Sequence, residues 1–226
     1  MPKGRIETMT MADGAEIGVY RARPEGERRG GLVVVQEIFG ITDHIREVAE
    51  SYAAEGYEVL APALFDREAP GFEAGYTGAD LQRAIALSRE IHPIAQSVSD
   101  VATCVAALKD KGPVFVVGYC YGGSIAWFAA TRIPGVAAAS GYYGRLVPDS
   151  LDETPRAPAI LHFGKHDPGI PLSAAQKVAD AGKPNTTVYF YDAGHGFNSD
   201  RRDDYDAASA ALARARTLAL FRANGG

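Results

Sequence analysis

The sequence predicts an α/β fold: a mostly parallel, twisted sheet with helices on both faces and an N-terminal β-hairpin. Three observations carry this expectation. Segments 32–35, 57–61, 114–117, 136–140, 159–163 and 187–191 are short and largely apolar, the pattern of strands buried on both faces. Stretches of helical length separate most of them, which calls for parallel pairing through right-handed crossovers. The 226 residues are 46% hydrophobic and 23% charged, the balance of a soluble globular chain and not of a disordered one or a coiled coil. A chain of this length buries roughly 70–75% of the surface exposed when unfolded, enough for a core without disulfides or metals.

Taken in order, segments 5–10 and 15–20 flank Ala12-Asp13-Gly14, a turn signal, and form the hairpin. Segment 21–31 is charged and Gly-rich and reads as a surface loop before the strand at 32–35. A helix over 43–55 is stopped by Gly56, and the strand at 57–61 by Pro62. Segment 63–78 holds proline, glycines and aromatics and reads as a long loop, a feature that is often functional inside a compact domain. Helices follow at 80–91 and 97–111, the second with Val98, Val101, Val105 and Leu108 on one face. The remaining helices are read at 124–131, 173–181 and 203–223. No internal repeat, low-complexity tract or linker divides residues 1–226, so one domain is expected.

Composition narrows the function classes. Twenty-three Lys and Arg against 28 Asp and Glu give a net charge of −5, unsuited to nucleic acid as the main partner, which calls for a basic stripe. No stretch approaches the ~20 apolar residues of a membrane helix, and MPKGRIETMT has no apolar leader core. The only cysteines are Cys104 and Cys120, which is no disulfide framework, and a cytoplasmic location follows. Scattered histidines without H-x-x-x-H or C-x-x-C spacing argue for no metal, and nothing calls for a cofactor. The oligomeric state is not readable.

The sharpest signal is Gly118-Tyr119-Cys120-Tyr121-Gly122 between a buried strand and a helix. This is the elbow pattern G-x-S-x-G with cysteine in place of serine. The central residue of such a turn is pushed out above the sheet, at a helix N-terminus whose free N–H groups and partial positive charge favour a thiolate or an oxyanion. A buried structural cysteine in a Gly-rich turn is the competing reading; a phosphate cradle is not, because the glycine spacing and a Gly-Lys-Ser/Thr run are missing. Cys104, among Val101, Ala102, Val105 and Leu108, is expected in the core.

An elbow nucleophile needs an acid and a histidine, in that chain order. Asp167 follows the strand at 159–163 and His195 the strand at 187–191, both at carboxyl ends, where ligands bind in open α/β sheets. His162 and His166 compete with His195 as base, and Asp192 with Asp167 as acid. His162, however, falls within a strand, His166 adjoins Asp167, and Asp192 precedes the loop by only three residues from His195. The expected oxyanion donors are the backbone N–H groups of Tyr121 and of Ile38 in the loop after the first parallel strand. Phe39 and Tyr143 are expected against substrate, and Phe65, Phe72, Tyr76 and Tyr121 serve equally as pocket wall or core.

The motifs Q-E-I-F-G at 36–40, A-P-A-L-F-D-R at 61–67, G-Y-C-Y-G-G at 118–123 and G-H-G-F at 194–197 resemble the dienelactone hydrolase family, a branch of the α/β-hydrolases, over almost the whole chain. The resemblance implies the α/β-hydrolase fold and hydrolysis of a small lactone bearing a carboxylate, or of a related ester or thioester. It implies for Glu37 a carboxylate beside the resting thiol that helps to deprotonate it. It also implies two substrate-binding arginines, a role that suits the guanidinium fork, and here the chain departs. Their counterparts are Gln82 and Ser199, with Gly196 where the family has serine. Arg67, Arg83, Arg201 and Arg202 remain as replacements. A non-catalytic binding protein of the same fold is the reading from a different class.

Overall fold

The structure, a computed structural model, describes residues 3–226. Eight strands form one sheet in the order β1-β2-β4-β3-β5-β6-β7-β8. β1 (Arg5–Thr10) and β2 (Glu16–Ala22) make the expected hairpin at one edge, and β2 runs antiparallel to β4 (Tyr57–Pro62). β3 (Gly30–Val35), β4, β5 (Val114–Tyr119), β6 (Val136–Tyr142), β7 (Ala159–Gly164) and β8 (Thr186–Tyr191) are mutually parallel. Every residue of β3, β4, β5 and β7 is buried, as runs without polar alternation require.

The helices are α1 (Asp43–Ala54), α2 (Gly78–Ala86), α3 (Ile94–Leu108), α4 (Tyr121–Arg132), α5 (Leu172–Asp180) and α6 (Ala207–Ala223). On one face α1 and α6 meet the sheet through Tyr52, Tyr57, Phe115 and Phe221, whose rings lie 4.7–6.5 Å apart. On the other face α3 and α4 pack together, and Trp127 of α4 is 1% exposed. Cys104 is fully buried, and burial pushes its thiol pKa up.

Several helix boundaries differ from expectation by three or four residues, α3 at Ile94–Leu108 and the start of α4 at Tyr121 among them, and two differences have a local reason. The helix read at 80–91 is α2 followed by a single π turn, Leu87–Ile91, which ends at His92 because a residue before proline is driven to extended backbone. α6 starts at Ala207 and not at residue 203: Asp206 caps it, its carboxylate accepting from the Ser209 N–H at 2.7 Å.

A buried polar ladder ties α6 to the sheet beneath the site. His162 of β7 bonds to Tyr191 at 2.7 Å and Ser140 at 3.2 Å, and Ser140 and Tyr142 both reach Thr217 of α6 at 2.8 Å. Burial, with the Arg216 charge adding to it, holds the His162 pKa down at about 3, so the folded imidazole stays neutral. In the unfolded chain it takes a proton below about pH 6.5. The unfolded state then binds more protons, and stability falls as pH drops from 6.5 toward 3. The slope due to this residue approaches one proton, on the order of 1 kcal/mol per pH unit. Urea unfolding at pH 7, 6 and 5 is expected to show this decline in the parent chain and its loss in His162→Gln.

Candidate active site

Cys120 sits between β5 and α4 with φ 54° and ψ −110°, a strained conformation for a residue with a side chain. The strain is enforced by close backbone approach. A Cβ on Gly118 would lie 1.8 Å from the Gly122 carbonyl oxygen, and one on Gly122 would lie 2.3 Å from that of Val35. The Cys120 N–H is tied to the Tyr142 carbonyl at 3.0 Å and the Gly122 N–H to that of Gln36 at 3.0 Å. Thus the elbow is locked to the ends of both neighbouring strands, and Sγ projects at the carboxyl edge of the sheet.

His195 Nε2 lies 3.2 Å from Cys120 Sγ, and its Nδ1 lies 2.6 Å from Asp167 Oδ2. The other oxygen of Asp167 accepts from the N–H groups of Gly169 at 2.7 Å and Ile170 at 3.0 Å, which fixes the carboxylate. The His195 side chain is 15% exposed and that of Asp167 1%. Burial works against the imidazolium, but the charges of Cys120 and Asp167 and their hydrogen bonds outweigh it and raise the His195 pKa to about 10. The competing residues lie elsewhere. His162 belongs to the buried ladder, and His166 pairs with Asp192 at 2.7 Å on the surface.

Among the described residues, neither the Tyr121 nor the Ile38 N–H has an acceptor, while the three N–H groups after Tyr121 are all engaged. Gln36 holds the loop after β3 in place: its side chain donates to the Glu37 carbonyl at 3.2 Å and accepts from the Leu64 N–H at 3.2 Å. Beneath Tyr121 runs a chain from its hydroxyl to Ser97 at 2.7 Å, on to His92 at 3.0 Å and to Glu68 at 3.0 Å.

These groups open on a cleft of about 360 Å³. Ile38, Phe39, Leu81, Ile85, Ile94 and Leu146 give it apolar walls; Arg89, Arg145 and Arg202 reach it as cations. Phe39 is where the sequence places it. Tyr143 is not: it is fully buried, does not line the cleft, and carries a φ of 39° that turns its ring behind His195, with centroids 5.0 Å apart. The expectation that Tyr143 contacts substrate is corrected accordingly. Phe65 and Phe72 are core residues, packed together at 6.2 Å.

The arginines sort cleanly. Arg67 holds the buried Asp100 through two bonds of 2.7 and 2.9 Å and reaches back to Asp13, a structural clamp. Arg83 lies over the Phe72 ring, and Arg201 pairs with Glu47 at 2.7 Å. Only Arg202 of the four lines the cleft, with Nη1 3.7 Å from Glu37 Oε1. Gly196, with φ 81°, makes room for it, since a Cβ there would fall 2.7 Å from Arg202 Nε. Arg89 and Arg145 escape the sequence reading. Arg145 follows β6 at the sheet's carboxyl end, which is a usable signal; Arg89 reaches the cleft through the π turn, which has none.

Glu37 is 1% exposed, and neither carboxylate oxygen has a hydrogen-bond partner among the described residues. Among these residues no group of three or more His, Cys, Asp or Glu is arranged to hold a metal, and no helix is long and apolar enough to cross a membrane.

A family model, curated proteins and solved structures match most of this chain. The family model described as "Dienelactone hydrolase family" matches residues 17–225. A Methylorubrum extorquens protein provisionally named a carboxymethylenebutenolidase is 35% identical, across 95% of this chain and 79% of its own. Carboxymethylenebutenolidase 1 of Cupriavidus pinatubonensis is 31% identical, across 94% of each chain. The crystal structure of a Klebsiella pneumoniae protein provisionally named a dienelactone hydrolase superposes with a TM-score of 0.83 at 27% identity, covering 97% of this chain and 98% of that one.

Proposed function

The chain belongs to the dienelactone hydrolase family, with the α/β-hydrolase fold and hydrolysis of ester or lactone bonds, and from that premise we propose that it opens a small lactone or ester through a Cys120-His195-Asp167 triad. The observation that carries the proposal is the unbroken line of contacts from Sγ to Nε2 at 3.2 Å and from Nδ1 to the carboxylate at 2.6 Å. Cys120 attacks the carbonyl carbon as a thiolate, favoured by the start of α4 and the imidazolium. The oxyanion is received by the N–H groups of Tyr121 and Ile38. Collapse of the tetrahedral adduct expels the ring oxygen, which takes its proton from His195 and, in a lactone, stays on the acyl chain. Water, deprotonated by His195, then cleaves the thioester and restores the thiol. Asp167 fixes the imidazole tautomer throughout. The buried carboxylate of Glu37, 3.7 Å from Arg202 Nη1, is given the role of assisting deprotonation of the thiol.

No metal or cofactor takes part in this scheme, nor do nucleic acid or membrane partners. Cys104 and Cys120 as free thiols suit a reducing, cytoplasmic setting.

The substrate's carboxylate, in this reading, is held by Arg202, which lines the cleft where Ser199 does not. Loss of one charge-assisted bond costs about 1.5–3 kcal/mol. Arg202→Gln is therefore expected to raise KM for a dienelactone by about 10–100-fold and to leave KM for 4-nitrophenyl acetate unchanged. The arginine replacements favour one second reading, a broader carboxylesterase or thioesterase on the same triad. Steady-state kinetics on dienelactones beside aryl esters and thioesters separates the two. Efficient lactone opening supports the first, and ester cleavage without it supports the second.

A further inference from the structure

Glu68, His92 and Ser97 form a second line of acid, imidazole and hydroxyl, outside the triad. Both carboxylate oxygens of Glu68 lie 3.0 Å from His92 Nδ1, His92 Nε2 lies 3.0 Å from Ser97 Oγ, and Ser97 Oγ lies 2.7 Å from the Tyr121 hydroxyl. A carboxylate only accepts, so Nδ1 carries the hydrogen; with Nε2 as acceptor, Ser97 donates to the imidazole and Tyr121 donates to Ser97. Each hydroxyl in the line then donates once, toward Glu68, and a fully satisfied buried network of this kind is rigid. Ser97 and the His92 ring are 0% exposed, so Ser97 is sealed from substrate and is no second nucleophile. The group that the line serves is Tyr121.

The line stands on a braced loop. Asp66, Arg67 and Glu68 follow one another after β4, where the A-P-A-L-F-D-R stretch ends. Asp66 accepts from the Gly18 N–H at 2.7 Å and the Gly71 N–H at 2.9 Å, Arg67 holds Asp100 of α3, and Glu68 takes His92. Asp100 and Ser97 are three residues apart on α3 and share a face, so the loop grips the same turn that presents Ser97. Phe65 packs against both rings, 5.3 Å from that of His92 and 5.7 Å from that of Tyr121. At the elbow, the N–H groups of Cys120 and Gly122 are tied to neighbouring strand ends, while that of Tyr121 between them has no acceptor among the described residues. The hydrogen bond that holds Tyr121 from outside α4 is that of its phenol. Strain such as that at Cys120 persists only where the surroundings over-determine it.

We propose that Glu68, His92 and Ser97 are positioning residues that hold the Tyr121 phenol and, through it, aim the Tyr121 N–H at the oxyanion. The inference rests on the oxyanion role given to that N–H above. Its test is the acylation step, followed in stopped flow with 4-nitrophenyl acetate and with the thiono analogue, in which sulfur replaces the carbonyl oxygen. Ser97→Ala cuts the line in the middle, and Tyr121→Phe removes only the phenol oxygen and keeps the N–H. One oxyanion donor is worth about 10²–10³-fold, so a donor loosened but not removed is expected to slow acylation by the oxo ester about 10-fold in each variant, with the half-saturating concentration unchanged. The double variant falls no further, because both changes break one bond. Thiocarbonyl sulfur is a weak hydrogen-bond acceptor, so the thiono ester loses less and the oxo-to-thiono rate ratio falls, whereas a general loosening of the fold slows both esters alike. Thermal unfolding checks that the variants are folded, and Tyr121→Phe carries the test should Ser97→Ala not fold. Unchanged acylation in folded Tyr121→Phe, or equal slowing on the two esters, overturns the proposal while leaving the triad intact. Failure of the triad is read separately: the nitrophenol burst then persists in Cys120→Ala, and that result removes the oxyanion role and this proposal together.

Discussion

Cys120→Ala is expected to lower kcat/KM for esters and lactones by at least about 10⁴-fold while leaving the fold intact. The magnitude follows from removing the nucleophile of a unit whose members act together, where the residual rate comes from the oxyanion donors and binding alone. Folding is spared because alanine keeps the Cβ that the elbow already accommodates at φ 54°, and the side chain removed is only partly buried. One equivalent of iodoacetamide abolishes activity in the parent chain, since the other thiol, Cys104, is fully buried and its pKa is pushed up. Full turnover by Cys120→Ala contradicts the account.

The second large effect is on folding. Gly118→Ala sets a Cβ 1.8 Å from the Gly122 carbonyl oxygen. Both are backbone positions at the junction of β5 and α4, so no rotamer relieves the clash, and the helix must move off the strand. The expected cost exceeds about 4–5 kcal/mol, the range of severe single substitutions. For a chain of this size that lowers Tm by roughly 10–20 °C or leaves no soluble protein. Gly135→Ala is the control. Gly135 has φ 88° and nothing within 4 Å of a Cβ, so only conformational strain of about 1 kcal/mol opposes the change. Equal losses in the two variants sink the argument that close approach, and not φ alone, selects glycine in the elbow.

The site was legible where chemistry is written into local sequence. G-Y-C-Y-G marks a strand-to-helix turn whatever surrounds it, and Asp167 and His195 follow apolar runs, so the rule of carboxyl-end loops brings them together. The hairpin, the parallel strands and the covering helices were readable for the same reason: burial on both faces leaves runs without polar alternation. What stayed hidden depends on backbone geometry with no one-residue signal. The left-handed turn at Tyr143 takes a side chain that seemed ready for substrate and buries it. The π turn before His92-Pro93 directs Ser88 and Arg89 into the cleft. Arg67, in a motif shared with the family, spends its guanidinium on Asp100 and Asp13, and only the tertiary contact between the loop after β4 and α3 reveals this. The late start of α6 leaves residues 199–205 as turns, and that irregular path carries Arg202 to Glu37.

The central claim is covalent catalysis by one sulfur. Turnover of 4-nitrophenyl acetate, quenched in acid within the first cycles and digested with trypsin, separates the two thiols: residues 112–132 carry Cys120 alone, and Cys104 lies in another peptide. An added acetyl mass on the 112–132 peptide, lost on treatment with hydroxylamine and missing from Cys120→Ala, is the predicted result. Acetylation of another peptide at the rate of turnover, with Cys120 unmodified, contradicts it.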